Sequence, residues 1–277
     1  MSMDKTLYIS DLDGTLLNNS AELSEYATNT LNAMIARGLR FSVATARTLA
    51  SSAKILCGLM LRLPIVLMNG VLIYDMERKQ YTQVNYLAPK TVSEIIRTLS
   101  RFEITGFMYE LKDGELMTYH ESLEKKPLRD FVEERIAKYN KAFQHTDGFD
   151  RISPENVIYF TLLDTRERLM PVYEALSTQT DLKLTFYEDI YRPGFWYLEI
   201  FSDKASKQNA VDHLREAYGF EHVVGFGDNL NDLPMFAACD IKVAAGNAKP
   251  EVKAIANYIC STNDNDGVVK WLEENAI

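Results

Sequence analysis

The sequence predicts an α/β fold built on a parallel sheet, with a smaller α+β module inserted into it. Near both ends of the chain, short apolar segments alternate with segments whose apolar residues recur at helical spacing, as in parallel-sheet proteins. Between residues 82 and 190 the strand-like segments are shorter and more aromatic. A chain of 277 residues is also long enough for two domains. We therefore predict a Rossmann-like core of residues 1–81 and 191–277 and an inserted domain of residues 82–190.

The first strands and helices follow one another directly from the N-terminus. Residues Leu7–Ser10 have the composition of a buried strand, and the next helix has Ser24 as its predicted N-cap and Gly38 as its end. A second strand is predicted at Phe41–Ala44, followed by a helix that begins near Leu49. The segment "PIVLMNG" at residues 64–70 predicts a third strand of the parallel sheet.

The inserted segment and the return to the core are predicted from the same kinds of pattern. Helices are expected near residues 91–101, 124–141 and 166–178, between strand-like segments such as "VIYFTLL". From Trp196 onward we expect core elements again, beginning with the strand "WYLEIF" and a helix at Ser206–Tyr218. The strand "HVVGFGD", a short helix with Pro234 in its first turn, two short strands and a final helix at Asp266–Glu274 complete the expected core.

Composition excludes several classes of protein. The net charge is −9 with a pI near 5.1, and no dense cluster of basic residues occurs, so nucleic acid is not an expected partner. The longest apolar run ends at Arg62, far short of a membrane span, and no secretory signal is recognised. Cys57, Cys239 and Cys260 lack metal-ligand spacing and are expected to be reduced, as in the cytoplasm.

Acidic residues follow two of the predicted core strands. Asp11 and Asp13 lie in "DLDGT", and Asp228 and Asp232 lie in "GDNLND". Because the carboxyl ends of parallel strands meet at one edge of the sheet, these carboxylates are expected to converge. Such a concentration of negative charge requires a cation, and hard oxygen ligands favour Mg²⁺.

The acidic residues and two further signals suit the chemistry of phosphoryl transfer, which needs a nucleophile, a metal, a fixed cation and hydrogen-bond donors. Asp11 is suited to attack phosphorus, and Asp13 to act as the general acid and base. Thr45, at a strand end, is expected to hold a phosphoryl oxygen, together with backbone N–H groups from Leu12 onward. Lys207 is expected to neutralise the developing charge.

Each signal taken alone has a plainer interpretation. Asp-Gly sequences are common in turns, Thr45 could cap the following helix, and Lys204 is a rival to Lys207 as the fixed cation. The acidic turn at residues 263–267 is interpreted as a plain turn, because the final ligand of a calcium loop is missing. Neither a P-loop nor a dinucleotide-binding glycine motif occurs. The phosphoryl-transfer interpretation depends on the combination of signals at several strand ends.

With these residues in view, the chain resembles the haloacid dehalogenase superfamily, specifically its Cof-type sugar-phosphatase branch with a large inserted α/β cap. "DLDGTLL", "VATAR", "LEIFSDKASKQNAV" and "GDNLNDLPMF" resemble the four motifs of that family, and the likeness spans nearly the whole chain. The chain departs from the family pattern at Ala46 and at Gln208, two positions where the family usually has glycine. Neither departure removes a catalytic side chain.

The resemblance implies a set of roles. Mg²⁺ would be bound by the side chains of Asp11 and Asp228 and by the main-chain carbonyl of Asp13, with Asp232 in support. The family lysine aligns with Lys207, because the usual Ser-Lys pair matches Ser206-Lys207. The expected residues for the substrate and its phosphate are Leu12, Thr45, Ala46, Arg47, Asn69, Lys207 and Asn231.

The sequence therefore predicts a cytoplasmic, Mg²⁺-dependent phosphatase that acts on small phosphorylated metabolites, sugar phosphates first among them, with 82–190 as its specificity cap. A phosphomutase and a catalytically idle binding protein of the same fold remain alternatives, and the oligomeric state is left open. Tyr187, Tyr191, Arg192 and Trp196 are candidate substrate contacts, with an aromatic core as the alternative role.

Overall fold

The chain forms two compact units in the computed structural model, which describes residues 5–189 and 192–276. The core unit is Met1–Gln83 with Ser206–Ile277, and the inserted unit is Val84–Ala205. The strands are β1 (Thr6–Ser10), β2 (Arg40–Val43), β3 (Ile65–Leu67), β4 (Leu72–Asp75), β5 (Gln80–Val84), β6 (Gly106–Lys112), β7 (Glu115–His120), β8 (Gln144–His145), β9 (Val157–Thr165), β10 (Leu182–Glu188), β11 (Phe195–Ser202), β12 (His222–Gly227), β13 (Ile241–Ala244) and β14 (Tyr258–Ile259). The helices are α1 (Glu25–Ala36), α2 (Leu49–Leu56), α3 (Pro89–Arg101), α4 (Lys126–Tyr139), α5 (Arg166–Leu176), α6 (Lys207–Tyr218), α7 (Leu233–Ala237), α8 (Pro250–Ile255) and α9 (Gly267–Asn275).

The core unit is organised around a parallel sheet with strand order β14-β13-β12-β1-β2. Strand β1 lies inside this sheet, paired in parallel with β12 on one side and β2 on the other, and all of its residues are buried. Burial on both faces explains its continuous run of apolar residues. The register pairs Ser10 with Phe226, so that the residues after β1 and those after β12 emerge side by side.

The predicted third strand is present as β3, and it ends before Asn69 and Gly70 as expected. Only the bridge between Ala44 and Val66 continues the parallel sheet, whereas β3, β4 and β5 form a separate sheet in which β3 and β4 are antiparallel. The chain reverses at Asn69, whose φ of 55° is left-handed, and at Gly70, with a φ of +96°. This reversal makes a hairpin, which places β4 beside β3; the strand at residues 64–70 was predicted, and its antiparallel partner was not.

The inserted unit contains a sheet with strand order β10-β11-β9-β6-β7-β8. One face of this sheet packs on α3 and α5, and their shared core includes Val92, Leu169, Phe160, Leu198 and Ile200. Strand β9 is buried along nearly its whole length, from Val157 to Asp164, so both of its faces are covered.

The strand "WYLEIF" lies in the inserted unit, which corrects its predicted place in the core sheet. Strand β11 pairs antiparallel with both β9 and β10. The backbone N–H of Asp189 donates to the carbonyl of Phe195 at 2.8 Å. The unit consequently ends at Ala205 rather than at residue 190. The apolar pattern of β11 fits either sheet, and antiparallel pairing with the preceding strand β10 decided between them.

Two further observations bear on predictions from composition. No helix within residues 5–189 and 192–276 has both the length and the apolar character needed to cross a membrane. The three cysteines are free thiols: Cys239 is buried, Cys260 is partly exposed and Cys57 is exposed.

Candidate active site

Three carboxylates predicted to converge lie together at the edge of the core sheet. Asp11 follows β1, and Asp228 follows its neighbour β12; one oxygen from each of these residues and one from Asp232 all lie within 4.8 Å of one another. Asp11 and Asp232 are buried, with 5% and 0% of their surfaces exposed, while Asp228 is partly exposed. Parallel pairing of β1 with β12 is what brings these residues together, although they are far apart in the sequence.

Lys207 provides a buried positive charge beside this cluster. Its ammonium group donates hydrogen bonds to Asp11 Oδ1 at 2.5 Å and to Asp232 Oδ1 at 2.7 Å, and only 1% of the residue is exposed. It is the first residue of α6, which is capped by the Ser206 hydroxyl accepting from the N–H of Asn209 at 2.9 Å. The start of the helix predicted at Ser206–Tyr218 therefore positions Lys207. The rival Lys204 is exposed.

The cluster carries more negative than positive charge. Burial raises the pKa of Asp11 well above its ordinary value, and the neighbouring charge of Asp232 adds to this effect against the opposing Lys207. Burial likewise raises the pKa of Asp228 to about 6. Burial opposes the charged form of Lys207, but the charges of Asp11 and Asp232 outweigh it and raise the pKa of this ammonium group. The site therefore favours an additional positive charge.

The turn after β1 is shaped around Asp228. Gly14 has a φ of +75°, and a Cβ atom at this position would lie 2.5 Å from Asp228 Oδ2. The next residue, Thr15, donates from its hydroxyl to Asp228 Oδ1 at 2.8 Å. The side-chain amide of Asn247 donates to the Gly14 carbonyl at 2.7 Å. Glycine is therefore required for both its backbone conformation and its lack of a side chain.

Asp13 lies apart from the three carboxylates and is paired with Arg47. The guanidinium group donates from Nε to Asp13 Oδ2 at 2.7 Å and from Nη2 to Oδ1 at 2.6 Å. Such a bidentate pair fixes the plane of the carboxylate. About half of the Asp13 side chain is exposed, 52%, so it can meet solvent or a ligand. Arg47 was predicted to contact substrate phosphate, and in this structure it holds Asp13.

Thr45 and Asn69 lie next to each other at the end of the adjoining strands. Thr45 is buried, and its hydroxyl accepts from the N–H of Arg47 at 3.1 Å. The N–H of Asn69 donates to the Thr45 carbonyl at 3.0 Å, while the Asn69 Oδ1 atom is buried without a hydrogen-bond partner within the described residues. Helix α2 has Thr48 as its N-cap, so Thr45 does not serve as that cap.

Asp232 is held by the turn that contains it. Its Oδ2 atom accepts from the N–H groups of Asp228 and Asn229, both at 3.0 Å, and its Oδ1 atom accepts from Lys207. These bonds occupy the carboxylate and suit it to support its neighbours rather than to ligate directly. Of the other predicted phosphate contacts, Asn231 lies exposed in the same turn, and Ala46 is also exposed. Leu12 is fully buried, so only its backbone groups could contact a phosphate.

The donor set fits a hard divalent cation. The candidate ligand atoms are carboxylate oxygens, the preferred partners of Mg²⁺ and Ca²⁺. Three carboxylates with one ammonium group leave an excess of negative charge, and the charge of Asp232 adds to the effect of burial in raising the pKa of Asp11. A buried acidic cluster of this kind is compatible with a bound metal ion.

Thr15 contacts Asp228 and Asn247 contacts the turn at Gly14, and sequence reasoning missed both residues. Thr15 lies within "DLDGT", and its position four residues after Asp11 was the available signal. Asn247 has no such signal, because it reaches Gly14 from a loop more than 200 residues away in the sequence. Tertiary contact alone places it there.

The candidate substrate contacts of the inserted unit differ from one another. Trp196 packs on Phe186 with ring centroids 4.8 Å apart and adjoins the apolar core, as its alternative interpretation predicted. Arg192 pairs with Asp189 at 3.1 Å. Tyr187 is 40% exposed. Tyr191 lies outside the described residues.

Comparison with known proteins places this site in a family. A family model described as haloacid dehalogenase-like hydrolase matches residues 8–272. The 5-amino-6-(5-phospho-D-ribitylamino)uracil phosphatase YitU of Bacillus subtilis is 25% identical, over 95% of each chain. The pyridoxal phosphate phosphatase YbhA of Escherichia coli is 25% identical, over 96% of this chain and 97% of the relative. A solved haloacid dehalogenase-like hydrolase from Bacteroides thetaiotaomicron is 26% identical with a TM-score of 0.81, over 97% of this chain and 98% of its own.

The chain belongs to the haloacid dehalogenase-like hydrolases, since the family match covers nearly all of it. Within that family it is a Cof-type enzyme of the phosphoric monoester hydrolase class, as its phosphatase relatives indicate.

Proposed function

We propose that the protein is a Mg²⁺-dependent phosphatase that hydrolyses small phosphorylated metabolites through an aspartyl-phosphate on Asp11. The observation that carries this proposal is the buried Asp11 carboxylate, held at 2.5 Å by Lys207 and surrounded by acidic oxygens. Lys207 orients one oxygen of Asp11 and limits the repulsion between this carboxylate and a phosphate. This arrangement suits a nucleophile.

The first step transfers the phosphoryl group to the protein. A carboxylate oxygen of Asp11 forms a bond to phosphorus while the bond between phosphorus and the ester oxygen breaks. Asp13, oriented by Arg47, gives a proton to the departing oxygen and so completes the alcohol product. In this proposal, Thr45 and the N–H groups that begin at Leu12 donate to the phosphoryl oxygens.

The second step returns the enzyme to its starting state. Asp13 takes a proton from a water molecule, whose oxygen attacks phosphorus and releases inorganic phosphate from Asp11. Lys207 keeps the Asp11 carboxylate in place during both steps. A magnesium ion, held by Asp11, Asp228 and the carbonyl of Asp13 with Asp232 in support, would supply charge neutralisation of the phosphoryl oxygens.

The substrate class is proposed from the relatives and the sequence together. YitU and YbhA are named for a phosphorylated ribitylamino compound and for pyridoxal phosphate, both small metabolites. Sugar phosphates are the class that the sequence motifs favour. We propose that the inserted unit acts as the specificity cap and that the enzyme works in the cytoplasm, in keeping with its three free thiols.

The test is phosphate release from a panel of phosphate esters, with Mg²⁺ and with a chelator. We expect turnover with Mg²⁺ alone, and near-complete loss in Asp11→Asn, which keeps the size of the side chain but not its charge. Asp113→Asn changes an exposed aspartate in the turn between β6 and β7 and is the matched control. Substantial turnover by Asp11→Asn would exclude Asp11 as nucleophile, and an isomeric product without free phosphate would indicate a mutase.

A further inference from the structure

The acidic turn at residues 263–267 is bonded to the segment that leads from the candidate active site to α1. Asp264 accepts a hydrogen bond from the backbone N–H of Asn19 at 2.8 Å. Asp266 accepts from the hydroxyl of Ser24 at 2.7 Å. The two carboxylates therefore fasten this turn to the chain that leaves β1.

Asn263 connects the acidic turn to Leu12–Leu16, which we call the active-site turn. Only 4% of Asn263 is exposed, and its side-chain amide donates to the carbonyl of Leu17 at 3.0 Å. Its backbone N–H donates to Asn247 Oδ1 at 3.0 Å. Asn263 thus holds the chain at the end of the active-site turn and also orients Asn247, which reaches the middle of that turn.

Asn247 holds the carbonyl of Gly14 in a fixed direction. Because its Oδ1 atom accepts from Asn263, its amide nitrogen faces Gly14 and donates to the carbonyl at 2.7 Å. An amide can accept at one end and donate at the other, as this position requires. The backbone at Asp13 and Gly14 is non-helical, so the repeating bonds of a helix do not fix this carbonyl.

The loop that carries Asn247, residues 245–249, also bonds to the backbone of Asp228. The N–H of Lys249 donates to the Asp228 carbonyl at 2.9 Å. A single loop therefore bonds to the two turns that carry the candidate metal ligands, to one through the Asn247 side chain and to the other through its backbone.

This loop is itself held in place at Gly246. The N–H of Gly246 donates to the Ser261 carbonyl at 3.1 Å, and the Gly246 carbonyl accepts from Lys253 Nζ at 2.6 Å. A Cβ atom at Gly246 would lie 2.9 Å from the backbone nitrogen of Thr262, so the two chain segments are in close contact. Asn247 accordingly projects from a fixed support.

The Gly14 carbonyl matters because this residue and the next one contact a candidate metal ligand. A Cβ atom at Gly14 would lie 2.5 Å from Asp228 Oδ2, and the Thr15 hydroxyl donates to Asp228 Oδ1 at 2.8 Å. A shift of the Gly14 peptide would therefore move the hydroxyl that orients Asp228. Mg²⁺ demands near-ideal octahedral geometry, so a displaced carboxylate lowers its affinity.

We propose that Asn247 is a positioning residue for the candidate metal site. Through Gly14 and Thr15 it sets where the Asp228 carboxylate lies relative to the Asp13 carbonyl, and so it sets the affinity for Mg²⁺. Asn247 supplies no ligand atom of its own, and Asn263 acts one step further away by orienting Asn247. The identity of the metal rests on the proposed function.

The test is calorimetry of Mg²⁺ binding to the full chain carrying Asn247→Ala, with Asn32→Ala as the matched control. Asn32 makes the same two bonds elsewhere in the core unit: its amide nitrogen donates to the Gly58 carbonyl and its Oδ1 atom accepts from the Met60 N–H, both at 2.8 Å. We expect Asn247→Ala to weaken Mg²⁺ affinity by about tenfold, as for residues that support a metal ligand. Asn32→Ala is expected to leave this affinity unchanged.

Phosphate release measured against Mg²⁺ concentration separates positioning from catalysis. We expect Asn247→Ala to need about ten times more Mg²⁺ for half-maximal turnover, and to recover turnover when Mg²⁺ is raised. A kcat that stays low at saturating Mg²⁺ would contradict a positioning role. Unchanged Mg²⁺ affinity in Asn247→Ala, or equal weakening in Asn32→Ala, would also overturn the inference.

These outcomes differ from those that would refute the proposed function. Absence of Mg²⁺ binding by the wild-type chain would refute the proposed metal dependence, and this inference with it. Wild-type binding that Asn247→Ala leaves unchanged would refute the role of Asn247 alone. Substantial turnover by Asp11→Asn would refute the nucleophile, whereas weakened Mg²⁺ binding by Asn247→Ala would still support its positioning role.

Discussion

Replacement of the buried Lys141 by methionine is expected to stabilise the inserted unit at neutral and acidic pH. Burial, reinforced by Arg135, lowers the pKa of Lys141 from 10.5 to about 7. A pKa difference of this size corresponds to about 5 kcal/mol, an upper limit for the cost of keeping the amine charged in the folded state. The contacts with the Tyr109 and Phe143 rings return about 2 kcal/mol, the order of a cation–π contact away from water. Desolvation therefore outweighs the ring contacts, and methionine fills the same space without charge.

The pH dependence has a definite sign. Between pH 7 and 10.5, the two pKa values, Lys141 is protonated in the unfolded chain and neutral in the folded one. The unfolded state then binds more protons, so the free energy of unfolding rises with pH, by up to about 1.4 kcal/mol per pH unit. Below pH 7 both states are charged, and the full cost is present. Lys141→Met is expected to remove this rise and to gain most below pH 7.

Urea unfolding at several pH values measures this effect. Fluorescence of Trp196 in β11 reports on the inserted unit when Trp271 of α9 is changed to phenylalanine in every variant. Lys112→Met, which alters an exposed lysine at the end of β6, is the control and is expected to keep the wild-type pH dependence. The reasoning would be refuted if the free energy of unfolding changed with pH in the same way in Lys141→Met and its parent, or if Lys141→Met were less stable than its parent at pH 6.

Three further predictions concern the candidate active site. Lys207→Met leaves adjacent buried carboxylates without their positive partner, so we expect the free energy of unfolding in chelator to fall by about 3–5 kcal/mol. Added Mg²⁺ is expected to restore part of this stability, and an unchanged melting temperature in chelator would contradict the prediction. Gly14→Ala is expected to weaken the Mg²⁺ affinity measured by calorimetry, because the added Cβ would collide with Asp228. Gly219→Ala, at a φ of +67° with nothing within 4 Å of the added Cβ, is the control and is expected to lower stability without changing this affinity. Equal weakening of Mg²⁺ affinity by both variants would exclude the collision with Asp228 as the cause. Thr15→Val removes a donor to a carboxylate and is expected to lower the free energy of unfolding in chelator by about 1.5–3 kcal/mol, and no change would show that this bond contributes nothing.

The strands and helices near Asp11 and Asp228 follow from local sequence. The apolar run of β1 and the Ser24 cap of α1 appear in the structure as predicted, and the Ser24 hydroxyl accepts from the N–H of Ala27 at 2.9 Å. These features depend on burial and on backbone hydrogen bonds between near neighbours. Local residue order is enough to predict them.

Assignment of β11 to a sheet could not be predicted in the same way. Its apolar residues suit the core sheet and the inserted sheet equally, and pairing with β10 and β9 settled the choice. Asn247 illustrates the same limit, because its hydrogen bond to Gly14 depends on how distant loops meet. Neither the sheet assignment of β11 nor the hydrogen bond of Asn247 follows from the spacing of apolar residues along the chain.

By itself, the order of amino acids determined which residue types stand at the ends of β1 and β12, and so the acidic and phosphoryl-transfer character of that edge. The tertiary structure decided which of them touch: Lys207 bridges Asp11 and Asp232, while Arg47 holds Asp13. The physical reason is the distance along the chain over which each kind of interaction acts. Burial patterns act between neighbours along the chain, whereas charges more than 190 positions apart meet only when strand pairing has fixed the sheet.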